Sequence, residues 1–197
     1  CNQTPDWRGE WRFELSAEAR RRMLRFLDAG KGVLALHAAT ICFDDWPEYG
    51  RILGAWWDWA CSGHAPCQAH TMHVTAAQHP ITRGLRDFIV EDELYTNPRT
   101  SGGIQPLVEA TWDGATHPIL WTRCYGKARV CYNAFGHGVE AFEHPVNQML
   151  LQRGALWVIG MLNHGGDEMN TVAQPLPDDG SRSLDLDDLE TYGTASS

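Results

Sequence analysis

The stretch Gly32-Val-Leu-Ala-Leu-His-Ala-Ala-Thr40 decides the fold class. Val33 to Leu36 is an unbroken apolar run bounded in front by Gly30 and Gly32, which suits a strand buried on both faces of a sheet. The run ends on a polar ring, His37, and the small residues after it let the chain turn sharply. In open α/β sheets ligands bind beyond the carboxyl ends of the strands, so His37 stands where such a fold does its chemistry. A histidine satisfied within the core is the competing reading.

Upstream of this stretch, Ser16 is a good N-cap and Glu18 puts an anion in the first turn, where the helix dipole favours it. Ala19, Met23, Phe26 and Leu27 form an apolar stripe, and Arg20, Arg21, Arg22 and Arg25 form the solvated face. Gly30 supplies the stop. Helix, tight turn and buried strand make half of a parallel βαβ unit. Only this helix precedes Val33, fewer elements than a doubly wound sheet provides, so the sheet is expected to lack its N-terminal strands or to be completed differently.

Downstream, Pro47 opens a short helix over Trp46 to Leu53, and residues 54 to 67 read as a Gly- and Trp-rich loop. Strands are expected at Thr71 to Thr75, at Phe88 to Val90 running into Glu91-Asp92-Glu93, at Gln105 to Thr111, at Ile119 to Thr122 and at Arg129 to Ala134. Asp113-Gly114 and Tyr125-Gly126-Lys127 are the turns between the last three. Asn147 to Ile159 has helical spacing. The α/β domain is expected over residues 1–162, and residues 163–197 read as an acidic, disordered tail.

A chain of 197 residues with 43% hydrophobic content can bury one substantial core. Its net charge of −9 argues against nucleic acid as the main partner, because phosphate binding needs a basic face. Much of that charge falls beyond Asp167, where Arg182 is outnumbered by acidic residues. No apolar run approaches the roughly 20 residues needed to span a bilayer, and no secretory leader is evident, so a cytoplasmic location is expected. The six cysteines contain no Cys-x-x-Cys pair, and Cys42, Cys124 and Cys131 read as buried thiols in a reducing compartment. Nine tryptophans suit a wall for sugar rings as well as a core.

Four polar groups fall at or just after predicted strand ends: His37, Glu93, His137 and the neighbouring Glu140. Two imidazoles and a carboxylate at one crevice form either a general acid/base set or three ligands of a divalent metal such as zinc with an open position. His37 and His137 are the residues expected on that metal. The run Cys61, His64, Cys67, His70 and His73 has a regular spacing of three, which is not the spacing of a zinc finger. His64, after Ser62-Gly63, is instead expected on a loop over the site.

In order along the chain, several stretches resemble the ThuA-like (trehalose utilisation) domain family. They are the opening stretch, Asp45-Trp-Pro-Glu-Tyr49 with Gly54, Ser62-Gly-His64, His79-Pro-Ile-Thr-Arg-Gly84 and Asp92-Glu-Leu-Tyr95. His117-Pro118 with Trp121, Tyr125-Gly-Lys127, Ala134-Phe-Gly-His137 and the closing helix to Trp157 complete the match, over about residues 15 to 160. The resemblance implies a flavodoxin-like three-layer α/β/α sandwich with a mostly parallel sheet, within the class I glutamine amidotransferase-like superfamily. It also implies that strands present upstream in the family are missing here. Working amidotransferases carry a nucleophilic cysteine where this chain has His37, so amidotransfer is excluded.

Such domains are linked to sugar catabolism, including oxidised keto-disaccharides. The expected function is action on a sugar or keto-sugar by His/Glu acid–base chemistry, as an isomerase, lyase or hydrolase, with or without a metal. His37, Glu93 and His137 would be catalytic, and His64, Tyr95 and Glu140 would touch substrate beside a ring-stacking wall at Trp46. The implied partners are a small carbohydrate-like ligand and further copies of the chain in a homo-oligomer. The rival expectation is a non-catalytic carbohydrate-binding or assembly module.

Overall fold

The computed structural model describes residues 13–163. Helix α1 (Ala17–Asp28) starts where the Ser16 hydroxyl accepts from the Ala19 N–H at 3.1 Å. Strand β1 (Val33–Leu36) follows, then a single 3₁₀ turn (His37–Thr40) and helix α2 (Pro47–Leu53). Next come β2 (Ala55–Trp56), β3 (Gly63–Val74), β4 (Phe88–Thr96), β5 (Arg99–Thr100), β6 (Gln105–Trp112), β7 (Ala115–Tyr125) and β8 (Ala128–Asn133). Helices α3 (Val139–Glu143) and α4 (Pro145–Val158) close the described chain. The expected tail lies outside the described residues apart from Asn163, whose side chain accepts from Arg129 at 2.9 Å.

Six strands form one sheet in the order β1-β8-β7-β6-β3-β4, and β2 pairs with β5 apart from it. Only β1 and β8 run parallel, with Val33 opposite Val130 and Leu36 opposite Asn133. The other four pairings are antiparallel. The expectation of a mostly parallel sheet is therefore corrected to a mixed α/β fold with a mostly antiparallel sheet. For β6–β7 and β7–β8 the cause is a two-residue connection: a parallel return needs a crossover of a dozen or more residues, and a tight turn permits only a hairpin. Between β6 and β7, Asp113 and Gly114 take φ values of 50° and 74°, the left-handed pair that such hairpins require.

The segment read as loop over 54–67 is also corrected, because β3 already begins at Gly63. Its Gly-His-Ala-Pro-Cys-Gln opening has no apolar run, and the ladder to β4 slips between Ala65 and Gln68. A bulge there tolerates Pro66, which a regular central strand would not. Cys42 and Cys124, expected as buried thiols, are exposed, while Cys131 is fully buried. Cys42 sits in the turn beyond His37, and Cys124 lies next to the turn of the β7–β8 hairpin.

Consecutive residues of β8 face opposite sides of the sheet. Cys131 faces α4, where Gly154 lets the helix approach; a methyl there would already stand 3.3 Å from Cys131 Sγ and from Leu34. Tyr132 faces the other way and stacks on Trp121 with ring centroids 4.1 Å apart. The Trp121 indole N–H in turn donates to the Leu53 carbonyl of α2 at 2.9 Å. Helices thus cover both faces around β8, and Leu94, Leu107, Leu120 and Met72 extend the core along the hairpins.

β1 and β4 stand at opposite ends of the strand order, yet the Tyr95 hydroxyl of β4 lies 3.1 Å from the His37 ring just past β1. The sheet curls until its two ends share one side. That curl makes the site.

Candidate functional site

His37 follows β1 directly and has a left-handed φ of 39°. A non-glycine residue there costs about 1–3 kcal/mol and persists only where its surroundings over-determine it. Three contacts do so. The Nδ1–H donates to the Ala134 carbonyl at 2.7 Å, since a carbonyl can only accept. The Tyr132 hydroxyl donates to the His37 carbonyl at 2.7 Å. Finally, the Tyr95 hydroxyl reaches Nε2. Burial above all, then nearby Tyr132 and Glu93, pushes the Tyr95 phenol far above its ordinary range, so it keeps its proton and acts as a donor. His37 is held as the Nδ1–H tautomer, with its Nε2 lone pair turned toward the site.

Glu93 lies within β4 rather than beyond its end, because the strand continues to Thr96. Its Oε2 is 3.1 Å from His137 Nδ1 and 3.8 Å from His37 Nε2, and its Oε1 is 3.4 Å from His64 Nδ1. The Glu93 side chain is only 13% exposed, whereas His137 is half exposed and opens the cluster to solvent. One ligand atom from each of His37, Glu93 and His137 lies within 4.8 Å of the others, and no other such group occurs among the described residues. The cysteine–histidine run from Cys61 to His73 does not gather in this way.

Asp92, which sequence reasoning passed over, fixes the third member. It is fully buried on β4, and its two oxygens accept from the Gly136 N–H at 2.8 Å and the His137 N–H at 3.1 Å. The sequence carries no signal for this role, because both partners are backbone amides. Gly136 is required in that loop: its φ is 128°, and a Cβ would stand 2.6 Å from the Phe142 ring. Replacing Asp92 by Ala strands two backbone donors, so we expect a loss of about 2–3 kcal/mol in chemical denaturation. A loss under about 0.5 kcal/mol, the usual scale for surface changes, would show that other contacts hold the His137 loop.

The remaining expected residues are divided. His64 is on β3, not on a covering loop, and pairs across the ladder with Tyr95. Glu140 is exposed in the first turn of α3 and stays outside the three-residue group. Trp46 is buried at the start of α2, stacked near Tyr49 at 6.3 Å. It lines a neighbouring cavity of about 700 Å³ that none of His37, Glu93 and His137 lines.

Two imidazole nitrogens and one carboxylate oxygen form the donor set of an open zinc site. Donation of the other ring N–H to a backbone carbonyl, as His37 makes to Ala134, is how metal-bound histidines are held. The donor set therefore fits a divalent cation, provided the Tyr95 hydroxyl gives way at Nε2. Without a cation, the same groups can exchange protons with a bound ligand.

No helix among the described residues is long and apolar enough to cross a membrane. Among solved structures, the fold matches a ThuA-like protein of Parabacteroides merdae with a TM-score of 0.69 and 24% identity, covering 91% of this chain and 80% of that one. It matches a ThuA-like protein of Bacteroides uniformis with a TM-score of 0.61 and 22% identity, over 83% and 69% of the two chains. A cytoplasmic protein of Salmonella typhimurium gives a TM-score of 0.54 at 17% identity, over 77% and 64%. At these identities the likeness carries the fold alone. None of the curated proteins compared matches in sequence. The ThuA family profile, described as trehalose utilisation, matches residues 9–158, which contain every strand and both ring-bearing turns described above, and the chain belongs to that family.

Proposed function

We propose that the chain is an enzyme acting on a sugar or keto-sugar by proton transfer at His37, Glu93 and His137. The observation that carries this reading is the convergence of the three, from β1's end, from β4 and from the loop after β8, to within 4.8 Å. Protons next to a ketone are acidic enough for a positioned carboxylate to remove. Glu93 divides the labour between its two oxygens. Oε2 points to the two imidazoles of the cluster, and Oε1, beside His64, is left to take a proton from substrate. The Tyr95–His37 pair carries a proton to or from the carbonyl oxygen as charge develops there. Alternatively, with the Tyr95 hydroxyl displaced from Nε2, His37, Glu93 and His137 would hold a divalent cation such as zinc, which when bound would polarise that carbonyl in place of the Tyr95–His37 relay.

The test has two readings from one preparation. Protein exposed to zinc and then dialysed should retain about one equivalent, and His37→Ala and His137→Ala should each lose it. The same preparation should turn over at least one member of a keto-disaccharide panel. Retention of zinc by both variants, or binding of a keto-sugar without turnover, would remove the reading. The latter result would leave a carbohydrate-binding module instead.

A further inference from the structure

The cavity beside the cluster has no part in the chemistry above. It measures about 700 Å³, and its wall includes Trp46, Trp57 and Trp59. Pockets of roughly 300–1,000 Å³ are the size that takes small organic ligands.

The indoles are fixed before any ligand arrives. Trp57 packs edge-on against Trp59 at 6.1 Å with a 64° angle between rings. The Trp59 indole N–H donates to Asp44 at 3.1 Å. Trp46 lies under the Arg20 guanidinium at 5.6 Å. The charged groups in the wall are Asp44, Asp58, Arg51 and Arg99, two of each sign. Arg99 is paired with Asp58 at 2.7 Å and Arg51 with Glu48 at 2.8 Å, so no free positive field invites a phosphate or carboxylate. A purely apolar ligand would leave these carboxylates and guanidiniums facing hydrocarbon, which is costly. What remains is a neutral ligand with an apolar face for an indole and hydroxyls for the charged rim. A pyranose ring has both.

The cavity also adjoins the reacting centre. Trp57 packs on Tyr95 at 5.1 Å, and Tyr95 reaches His37. Thr40 lines the cavity, and its hydroxyl lies 3.3 Å from the Tyr132 hydroxyl that holds His37. We infer that this cavity binds a neutral pyranose ring, the non-reacting half of a glycoside whose other half meets the histidine–glutamate cluster. The second clause rests on the proposed function; the binding of the ring does not.

Methyl α-D-glucopyranoside is the probe, titrated by calorimetry or saturation-transfer NMR against the full chain. Saturable binding is expected, weakened at least tenfold in Trp59→Ala and also in Asp44→Asn, which spares the indole if the first variant folds poorly. Glu93→Gln should bind the probe within twofold of the parent, whatever its turnover. Absence of saturable binding, binding indifferent to both cavity variants, or binding of adenosine with no binding of the glucoside would each overturn the inference. Probe binding that persists in a chain without metal or turnover would sustain the cavity while the proposed function fails.

Discussion

Glu93→Gln is expected to lower kcat/KM toward a keto-disaccharide by about 10³-fold, within the range that a single general acid–base group supplies. The substitution preserves shape and removes the only carboxylate of the cluster. Glutamine cannot take a proton at Oε1 and offers no anionic oxygen to His137 and His37. Its side-chain neighbours are imidazoles on the rim rather than core packing, so stability should stay within about 1 kcal/mol of the parent. The loss should fall on kcat and kcat/KM together, the mark of an interaction made in the transition state. Turnover within tenfold of the parent would exclude Glu93 as the base.

The second large effect is structural. Gly32→Ala should destabilise the domain by at least about 3 kcal/mol, the upper end of the cost of overpacking. A Cβ at residue 32 would stand 2.2 Å from the Val158 carbonyl oxygen and 2.7 Å from its carbon. Those atoms are backbone at the end of α4, and they cannot swing aside as a flexible side chain would. Either α4 or β1 must shift, and both pack on the face that holds Leu34 and Cys131. Thermal or urea unfolding measures the effect. An alanine variant within about 1 kcal/mol of the parent would mean that α4 ends elsewhere in solution.

Parts of this were legible from residues alone. An apolar run between glycines announced β1, and the capped, striped segment after Ser16 announced α1. The Asp113-Gly114 and Gly126-Lys127 turns held the correct answer about strand direction, because a two-residue link cannot make a parallel crossover. Family resemblance outweighed them in the expectation of a mostly parallel sheet. The end of β3 was legible in the strand expected at Thr71 to Thr75, but its first half left little signal, since its polar residues run over a proline and a bulge. His37 and His137 could be found as polar rings at strand ends. Asp92 could not, because its partners are two backbone amides whose positions no residue type encodes. Nor does any spacing reveal that the sheet curls, and without the curl Glu93 is merely an acid on a distant strand.

Ala134, whose carbonyl sets the tautomer of His37, lies 97 residues further along the chain. His137 arrives with it, on the same late turn. A chain emerging from the ribosome could pair β3, β4, β6 and β7 and bury much of its core before either was available. Such an intermediate would have a sheet and an incomplete cluster. Assembly of the cluster thus waits on β8: the last strand to join the sheet is the one that completes the site at the end of the first.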